Sequence, residues 1–176
     1  MRKRKNSELG RLSIEAFKET PKIPVIVVLD NIRSLHNVGS VFRTSDALLI
    51  ESIYLCGFTA QPPHPEIHKT ALGATESVQW EYFDSGLAAL EALKKESYTL
   101  IAIEQVEGSI PLNRFLPKAN EKYALFFGNE VRGVQQEIVD ACHHAIEIPQ
   151  YGTKHSFNIS VSVGIVLWDF FSKIRL

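Results

Sequence analysis

Pro24-Val-Ile-Val-Val-Leu-Asp-Asn-Ile-Arg-Ser-Leu-His-Asn-Val-Gly-Ser-Val-Phe-Arg43 is the stretch that decides the fold class. Val25 to Leu29 is a continuous apolar run rich in β-branched residues, the mark of a strand buried on both faces. From Asn37 to Ile50 the spacing turns helical, with Val38, Val41, Phe42, Ser45 and Leu49 on one side. Between the two, Asn31 to Arg43 crowds Asn, Arg and Gly where a buried strand gives way to a helix. The carboxyl ends of parallel strands are where open α/β sheets bind ligands.

Working outward, short apolar strands are predicted at Ser52–Cys56, Ser77–Phe83, Thr99–Ile103, Tyr123–Phe127 and Ala145–Ile148. Leu87–Lys95 and Val134–Cys142 have helical periodicity, and residues 7–19 read as a short amphipathic helix ended by Pro21 and Pro24. Strands alternating with helices predict an α/β domain around a mostly parallel sheet flanked by helices. Residues 61–75 read as a loop, announced by Pro62, Pro63, Pro65 and Gly73. Ile159 to Phe171 fits two patterns. Ile159, Val161, Val163 and Ile165 alternate with small residues as in a strand, while Ile159, Val163, Val166 and Phe170 lie at helical spacing.

The 176 residues suit one domain, and 45% hydrophobic residues suffice for a core without disulfides or a structural metal. No apolar run approaches the roughly 20 residues that span a bilayer. The opening Met-Arg-Lys-Arg-Lys has no apolar segment behind it, so no secretory signal is expected. Cys56 and Cys142 stand far apart in apolar segments, as reduced thiols in a cytoplasm would. Net charge is −1, yet the first 45 residues hold nine Lys/Arg against four Asp/Glu. On charge alone a solvated tail is the simpler reading of that excess; a phosphate-binding footprint is the other.

Several chemistries are excluded by pattern. Neither nucleotide fingerprint, G-x-G-x-x-G after a strand or G-x-x-x-x-G-K-[ST], is present. Cys56, His64, His68, Cys142, His143 and His144 lack paired metal-ligand spacing, so no metal is expected, and His64 and His68 read as loop residues. No G-x-S-x-G elbow occurs. Two further segments share the character of the first. Phe126-Phe-Gly-Asn-Glu-Val-Arg-Gly133 is a strand running into a glycine-bounded polar turn. Ile148-Pro-Gln-Tyr-Gly-Thr-Lys-His-Ser-Phe-Asn-Ile-Ser160 is a polar loop entering the apolar C-terminus. Taken singly, each has a structural explanation: Asn37 or Asn129 as a helix cap, Gly128 as a turn glycine, Arg43 as a solvated helix residue.

Together, in order and spacing, they resemble the three motifs of the SpoU (TrmH-like) family of RNA 2′-O-methyltransferases, in the knotted SPOUT superfamily. N-x-G-x-x-x-R reads Asn37-Val-Gly39-Ser-Val-Phe-Arg43, and F-G-x-E-x-x-G reads Phe127-Gly128-Asn-Glu130-Val-Arg-Gly133. I-P-x-x-G-x-x-x-S-L-N-V-S reads Ile148-Pro149-Gln-Tyr-Gly152-Thr-Lys-His-Ser156-Phe157-Asn158-Ile-Ser160. Phe157 stands where the pattern has Leu, and Ile159 where it has Val. The resemblance spans roughly residues 24–172.

It implies a single knotted domain over 24–176 behind a basic extension, 1–23, with a C-terminal deep trefoil knot that makes the ambiguous tail a helix. It also implies a homodimer with the site near the interface and calls for no other protein partner. S-adenosylmethionine, without a metal, would sit in the knot against backbone groups of Ile103, Gly128, Ile148, Ser156 and Phe157. Gly128 would be glycine so that the backbone approaches this ligand closely. Arg43 would be the central catalytic residue, gripping the phosphate beside the target ribose and stabilising alkoxide charge, since a guanidinium is a poor general base. Asn37, Ser156 and Asn158 would orient the ribose and Arg43, with Glu130 either placing these groups or contributing near the sulfonium. RNA phosphates would meet Arg2, Lys3, Arg4 and Lys5, and Arg33, Lys69, Arg132 and Lys154 in the loops. Larger relatives carry a separate N-terminal RNA-binding domain; compact ones act on tRNA through short extensions, so tRNA is the expected substrate and rRNA the alternative. A catalytically silent RNA-binding or ribosome-assembly module would have no use for the intact Asn37, Arg43, Glu130, Ser156 and Asn158 set.

Overall fold

The apolar run after Pro24 becomes the core of β1 (Ile23–Asp30), and its side chains divide by parity between two cores. Val25, Val27 and Leu29 enter one, Ile26 and Val28 the other, all but fully buried. Each such side chain contributes roughly 1.5–3 kcal/mol of burial, so a strand of this composition is driven to the centre of a sheet. The computed structural model describes residues 1–176, the side chain of Asn6 excepted. Around β1 assemble β2 (Ile50–Cys56), β3 (Gln79–Phe83), β4 (Thr99–Ile103), β5 (Ile110–Pro111), β6 (Tyr123–Phe127) and β7 (His144–Glu147). Their order is β3-β2-β1-β6-β4-β7-β5. Every pairing is parallel.

Helices cover both faces, as parallel strands require. One layer holds α1 (Ile14–Glu19), α2 (Leu35–Ala47), α3 (Pro65–Ala71), α4 (Ala74–Ser77) and α7 (Ile159–Arg175). The other holds α5 (Gly86–Lys95) and α6 (Gln136–Ala141). No helix is long and apolar enough to cross a membrane among the described residues. The ambiguous tail is α7, a 17-residue helix burying Ile159, Val163, Val166, Leu167 and Phe170. Its helical spacing prevails because the alternating positions Val161 and Ser162 have no second strand to face, and Val161 stays exposed.

The largest departure from the sequence reading lies in residues 61–75, which form α3 and α4 rather than a loop. Pro65 occupies the first turn of α3, where a missing N–H costs nothing. His64 caps it from outside, its Nδ1 accepting from the Glu66 N–H at 3.2 Å, and His68 is a helix residue. Leu72 and Gly73, both at positive φ, make the break before α4. The N-terminal helix is shorter than 7–19: Gly10 turns at φ +58, Ser13 caps, and only Phe17 is buried. α2 starts two residues early on its Ser34 cap and stops at Ala47, because Leu49 turns left-handed into β2. The strand read at 77–83 begins at Gln79, since Ser77 closes α4, and the one read at 145–148 is shifted by one residue. The helix read at 134–142 covers only Gln136–Ala141, and β5, two residues long, has no readable period.

α2 and α3 meet at Gly39, where an added Cβ would strike the Ile67 carbonyl oxygen and Thr70 Oγ1. Gly39→Ala is therefore expected to lose about 1–3 kcal/mol through overpacking, outweighing the gain of roughly 1 kcal/mol in helix propensity. Urea unfolding checks it; an unchanged or raised midpoint refutes the close contact.

Candidate active site

β4, β6 and β7 lie near one another in the sheet, and their carboxyl ends open into a cleft of about 710 Å³. Two of the three segments singled out in the sequence line it, and the first is tied to it through the Glu130 and Asn158 side chains. Ile103 and Glu104 leave β4, Gly128 to Val134 leave β6, and Ile148 with Ser156 to Asn158 bridge β7 and α7. Ile103, Gly128, Ile148, Ser156 and Phe157, expected at the donor, all line the cleft, as do Glu130 and Asn158. Asn37 and Arg43 do not. Asn37 sits in the first turn of α2 and reaches the cleft through Asn158, whose Nδ2 donates to Asn37 Oδ1 at 3.3 Å. Asn158 also caps α7, accepting from the Ser160 N–H at 2.9 Å and its Oγ–H at 2.7 Å. Arg43 lies two turns into α2, exposed, with no ion pair or hydrogen bond among the described residues. Ser156 is likewise exposed within the wholly exposed run Tyr151 to Asn158.

Glu130 ties the loop after β6 to the turn after β1. Its two carboxylate oxygens accept from the Arg33 and Ser34 N–H groups, each at 3.1 Å. Burial pushes this carboxyl up, but the Arg33 and Ser34 amides, its own N–H and the Asn37 side chain outweigh that and leave it below the ordinary value. Asn129 adds a second tie, its Nδ2 donating to the Asn31 carbonyl at 2.7 Å. Gly128 also has a reason within the protein to be glycine. A Cβ there would strike the backbone of Gly133 and Val134, so it permits close approach between the two strands of its own loop.

Two residues that the motif pattern passed over belong to the site. Glu104 holds the far end of the same loop, Oε2 accepting from the Val134 N–H at 3.0 Å and Oε1 from the Gln105 N–H at 2.9 Å. Gln105 Nε2 donates to the His155 carbonyl at 2.9 Å, latching the exposed loop to the β4 exit. Their signal was position: polar residues directly after the last residue of a buried strand.

The cations expected at RNA phosphates are unequal. Arg33, Arg132 and Lys154 have exposed side chains, and Arg132 borders the cleft. Lys69 is engaged, 2.5 Å from Glu66, which also bonds His36 Nε2 at 2.8 Å. Lys69 first and His36 second hold the Glu66 carboxyl below its ordinary value. In the N-terminal extension Arg2 pairs with Glu8 at 3.2 Å, Arg4 reaches the Glu8 carbonyl, and the Lys5 N–H donates to Glu8 at 2.8 Å. Lys3 is exposed. No group of three His, Cys, Asp or Glu able to hold a metal occurs among the described residues. Cys56 is buried and Cys142 half-buried; both are free, and burial pushes both thiols up.

A parallel sheet with a cleft at the carboxyl ends of its strands, walled by the segments that follow β4, β6 and β7, defines a ligand-binding α/β domain. Residues 24–168 match the SpoU rRNA Methylase family, and the chain belongs to it. It is 28% identical over 148 residues to the tRNA (guanosine(18)-2′-O)-methyltransferase of Borreliella burgdorferi, covering 84% of this chain and 66% of that protein. It is 29% identical over 144 residues to the 23S rRNA (guanosine-2′-O-)-methyltransferase RlmB of Neisseria meningitidis serogroup B, covering 82% and 56%. The chain thus spans between about half and two thirds of these relatives. The crystal structure of the A. aeolicus TrmH/SpoU tRNA modifying enzyme superposes with a TM-score of 0.77 at 26% identity, covering 93% of this chain and 86% of that one.

Because its folded pKa is depressed, Glu130 contributes stability above its unfolded pKa and loses it as pH falls through the folded value. The Arg33 and Ser34 amide resonances should therefore titrate with a midpoint below the ordinary 4.5. Amides that titrate above it, or titrate unchanged in Glu130→Gln, would disprove the clamp.

Proposed function

We propose that the protein transfers a methyl group from S-adenosylmethionine to a ribose 2′-hydroxyl of RNA. The observation that carries this is the meeting of the second and third motif segments in one cleft at the carboxyl ends of β4, β6 and β7, with the first segment tied to them through Glu130 and Asn158. At about 710 Å³, with polar backbone on its walls, the cleft is of a size to take a nucleoside donor. The bound donor would supply a methyl group already activated on a sulfonium. The protein's own task is to hold the ribose oxygen in line with that methyl and lower the cost of its negative charge. Ile103, Gly128, Ile148, Ser156 and Phe157 line the donor site. Asn158, held by Asn37, presents an amide to the ribose, and Ser156 adds a hydroxyl. Arg43, unpaired and exposed, grips the neighbouring phosphate and stabilises the alkoxide as the proton leaves.

The strand order supports a trefoil knot at the C-terminus. The chain runs to the edge as β5, returns to the centre as β6 between β1 and β4, and leaves again as β7 before α7 crosses back to α2. A homodimer through α7 is supported by its unpacked side. Val161 and Trp168 are exposed, Trp168 at 55%, and nothing lies within 4 Å of a Cβ at Gly164 between them. α2 packs on α7, so such an interface lies beside the helix carrying Arg43. We assign tRNA as substrate, in line with the tRNA-modifying relatives, and the cytoplasm as its place, in line with two reduced thiols. The rRNA-modifying relative favours rRNA as the second reading.

Calorimetry should show donor binding that a chelator leaves untouched. Arg43→Ala should keep that affinity within about threefold yet cut methyl transfer by about 10²-fold or more, the cost of removing one charge-stabilising donor. Arg43→Lys should fail comparably, since an ammonium cannot reproduce the guanidinium fork. Near-normal turnover in the lysine variant would overturn the assignment. Deleting residues 2–5 should flatten the salt dependence of RNA affinity and leave donor binding unchanged. Equal salt slopes for the two chains would mean that the extension does not meet phosphates.

A further inference from the structure

Glu104 is a half-buried carboxylate in the cleft wall, and no lysine, arginine or histidine pairs with it among the described residues. Its two oxygens are fixed by single hydrogen bonds, from the Val134 N–H at 3.0 Å and the Gln105 N–H at 2.9 Å. Those bonds use about half of the lone-pair sites a carboxylate offers and leave its full charge uncompensated. The side chain is also locked sterically. Gly133, at φ +69, has no Cβ, and a Cβ there would strike Glu104 Oε2. The glycine that closes the second motif is thus the residue that lets this carboxylate occupy the space between the β4 wall and the loop after β6. The other acid on that loop, Glu130, is engaged outward by Arg33, Ser34 and Asn37. An unpaired anion held rigidly in a partly desolvated cleft is costly alone and favourable opposite a cation.

We propose that Glu104 is the specificity residue by which the cleft tells the sulfonium-bearing donor from its neutral thioether product. This rests on the cleft being the S-adenosylmethionine site. Methyl transfer removes one positive charge from the sulfur, so the attraction to Glu104 is present before the reaction and absent after it. Donor capture and product release are then driven by the same carboxylate. Donor and product otherwise share their adenine, ribose and amino-acid parts, so the uncharged groups of the cleft bind both alike.

The test is calorimetric affinity for S-adenosylmethionine and S-adenosylhomocysteine on the full chain, with thermal melting alongside. Glu104→Gln keeps the size and one acceptor oxygen but removes the charge. It should weaken donor binding by about tenfold, the order of one partly screened charge contact, while product affinity changes by less than about threefold. Glu104→Asp, which keeps the charge, should retain part of the preference for the donor and covers the case in which the glutamine variant melts early. Equal losses for both ligands would reduce Glu104 to a loop clamp and overturn the proposal, as would an unchanged ratio. If the unaltered chain binds neither ligand, the proposed function itself falls, before any variant is compared.

Discussion

The paired hydrogen bonds from the Arg33 and Ser34 amides to the Glu130 carboxylate are the contact on which the site's arrangement depends. β1 and β6 are neighbours in the sheet, and each ends in a loop that would otherwise be free to choose its direction. Glu130 joins those loops across the strand ends with the strongest acceptor available, a charged carboxylate on backbone N–H groups. Ser34 is at once a donor to Glu130 and the cap of α2, its Oγ accepting from Asn37 at 3.3 Å. The direction in which α2 leaves the sheet, and with it the place of Asn37 and Arg43, is therefore fixed by a residue nearly a hundred positions away. Asn158 closes the circuit from α7 through Asn37. Three segments distant in sequence become one rigid frame through a few polar contacts at the ends of well-buried strands.

Glycine makes the loop after β6 possible. Asn129 and Gly133 form a narrow bridge, the Gly133 N–H donating to the Asn129 carbonyl at 2.8 Å, so the chain doubles back within five residues. The Cβ of any other residue at Gly128 would meet the returning backbone, and at Gly133 it would meet Glu104. Gly133 also needs its positive φ, which costs side-chain-bearing residues free energy and glycine almost none. The motif's two glycines thus act at one place for different reasons, one for chain against chain and one for chain against carboxylate.

Much of this was legible in the sequence. The β-branched run at Val25–Leu29 and the apolar run at Tyr123–Phe127 mark the two central strands because burial on both faces leaves little room for any other residue type. The residues that motif resemblance expects at the donor line one cleft. What failed was local. Prolines at 62, 63 and 65 look like loop punctuation, but Pro65 starts a helix, and no periodicity over seven residues is long enough to say so. The packing constraint on Gly128 was not legible because the neighbour it accommodates, Gly133–Val134, is brought there only by the turn itself. Glu104 was passed over because its importance comes from Val134, thirty residues on. Long-range polar contacts leave no period in a sequence, whereas buried faces do.

The site divides into a settled half and an open half, and the division follows the chemistry each must perform. The walls at Ile103–Glu104 and Gly128–Val134 are tied by carboxylates and buried strand ends before any ligand arrives, which suits a small ligand of fixed shape. Arg43, Ser156, Lys154 and Tyr151 are exposed, Tyr151 at 96%, and none has a hydrogen-bonding side-chain partner among the described residues. A folded RNA presents its ribose and phosphate at angles set by its own structure, so groups that meet it gain by completing their contacts only on arrival. That ordering costs affinity, roughly 0.5–1.5 kcal/mol for each side chain immobilised. In return, under the proposed function, the contacts that stabilise charge would form only when the correct ribose is seated. Under that function, selectivity for the RNA would reside in the exposed half, while the clamped half would keep the donor in the same position for every substrate.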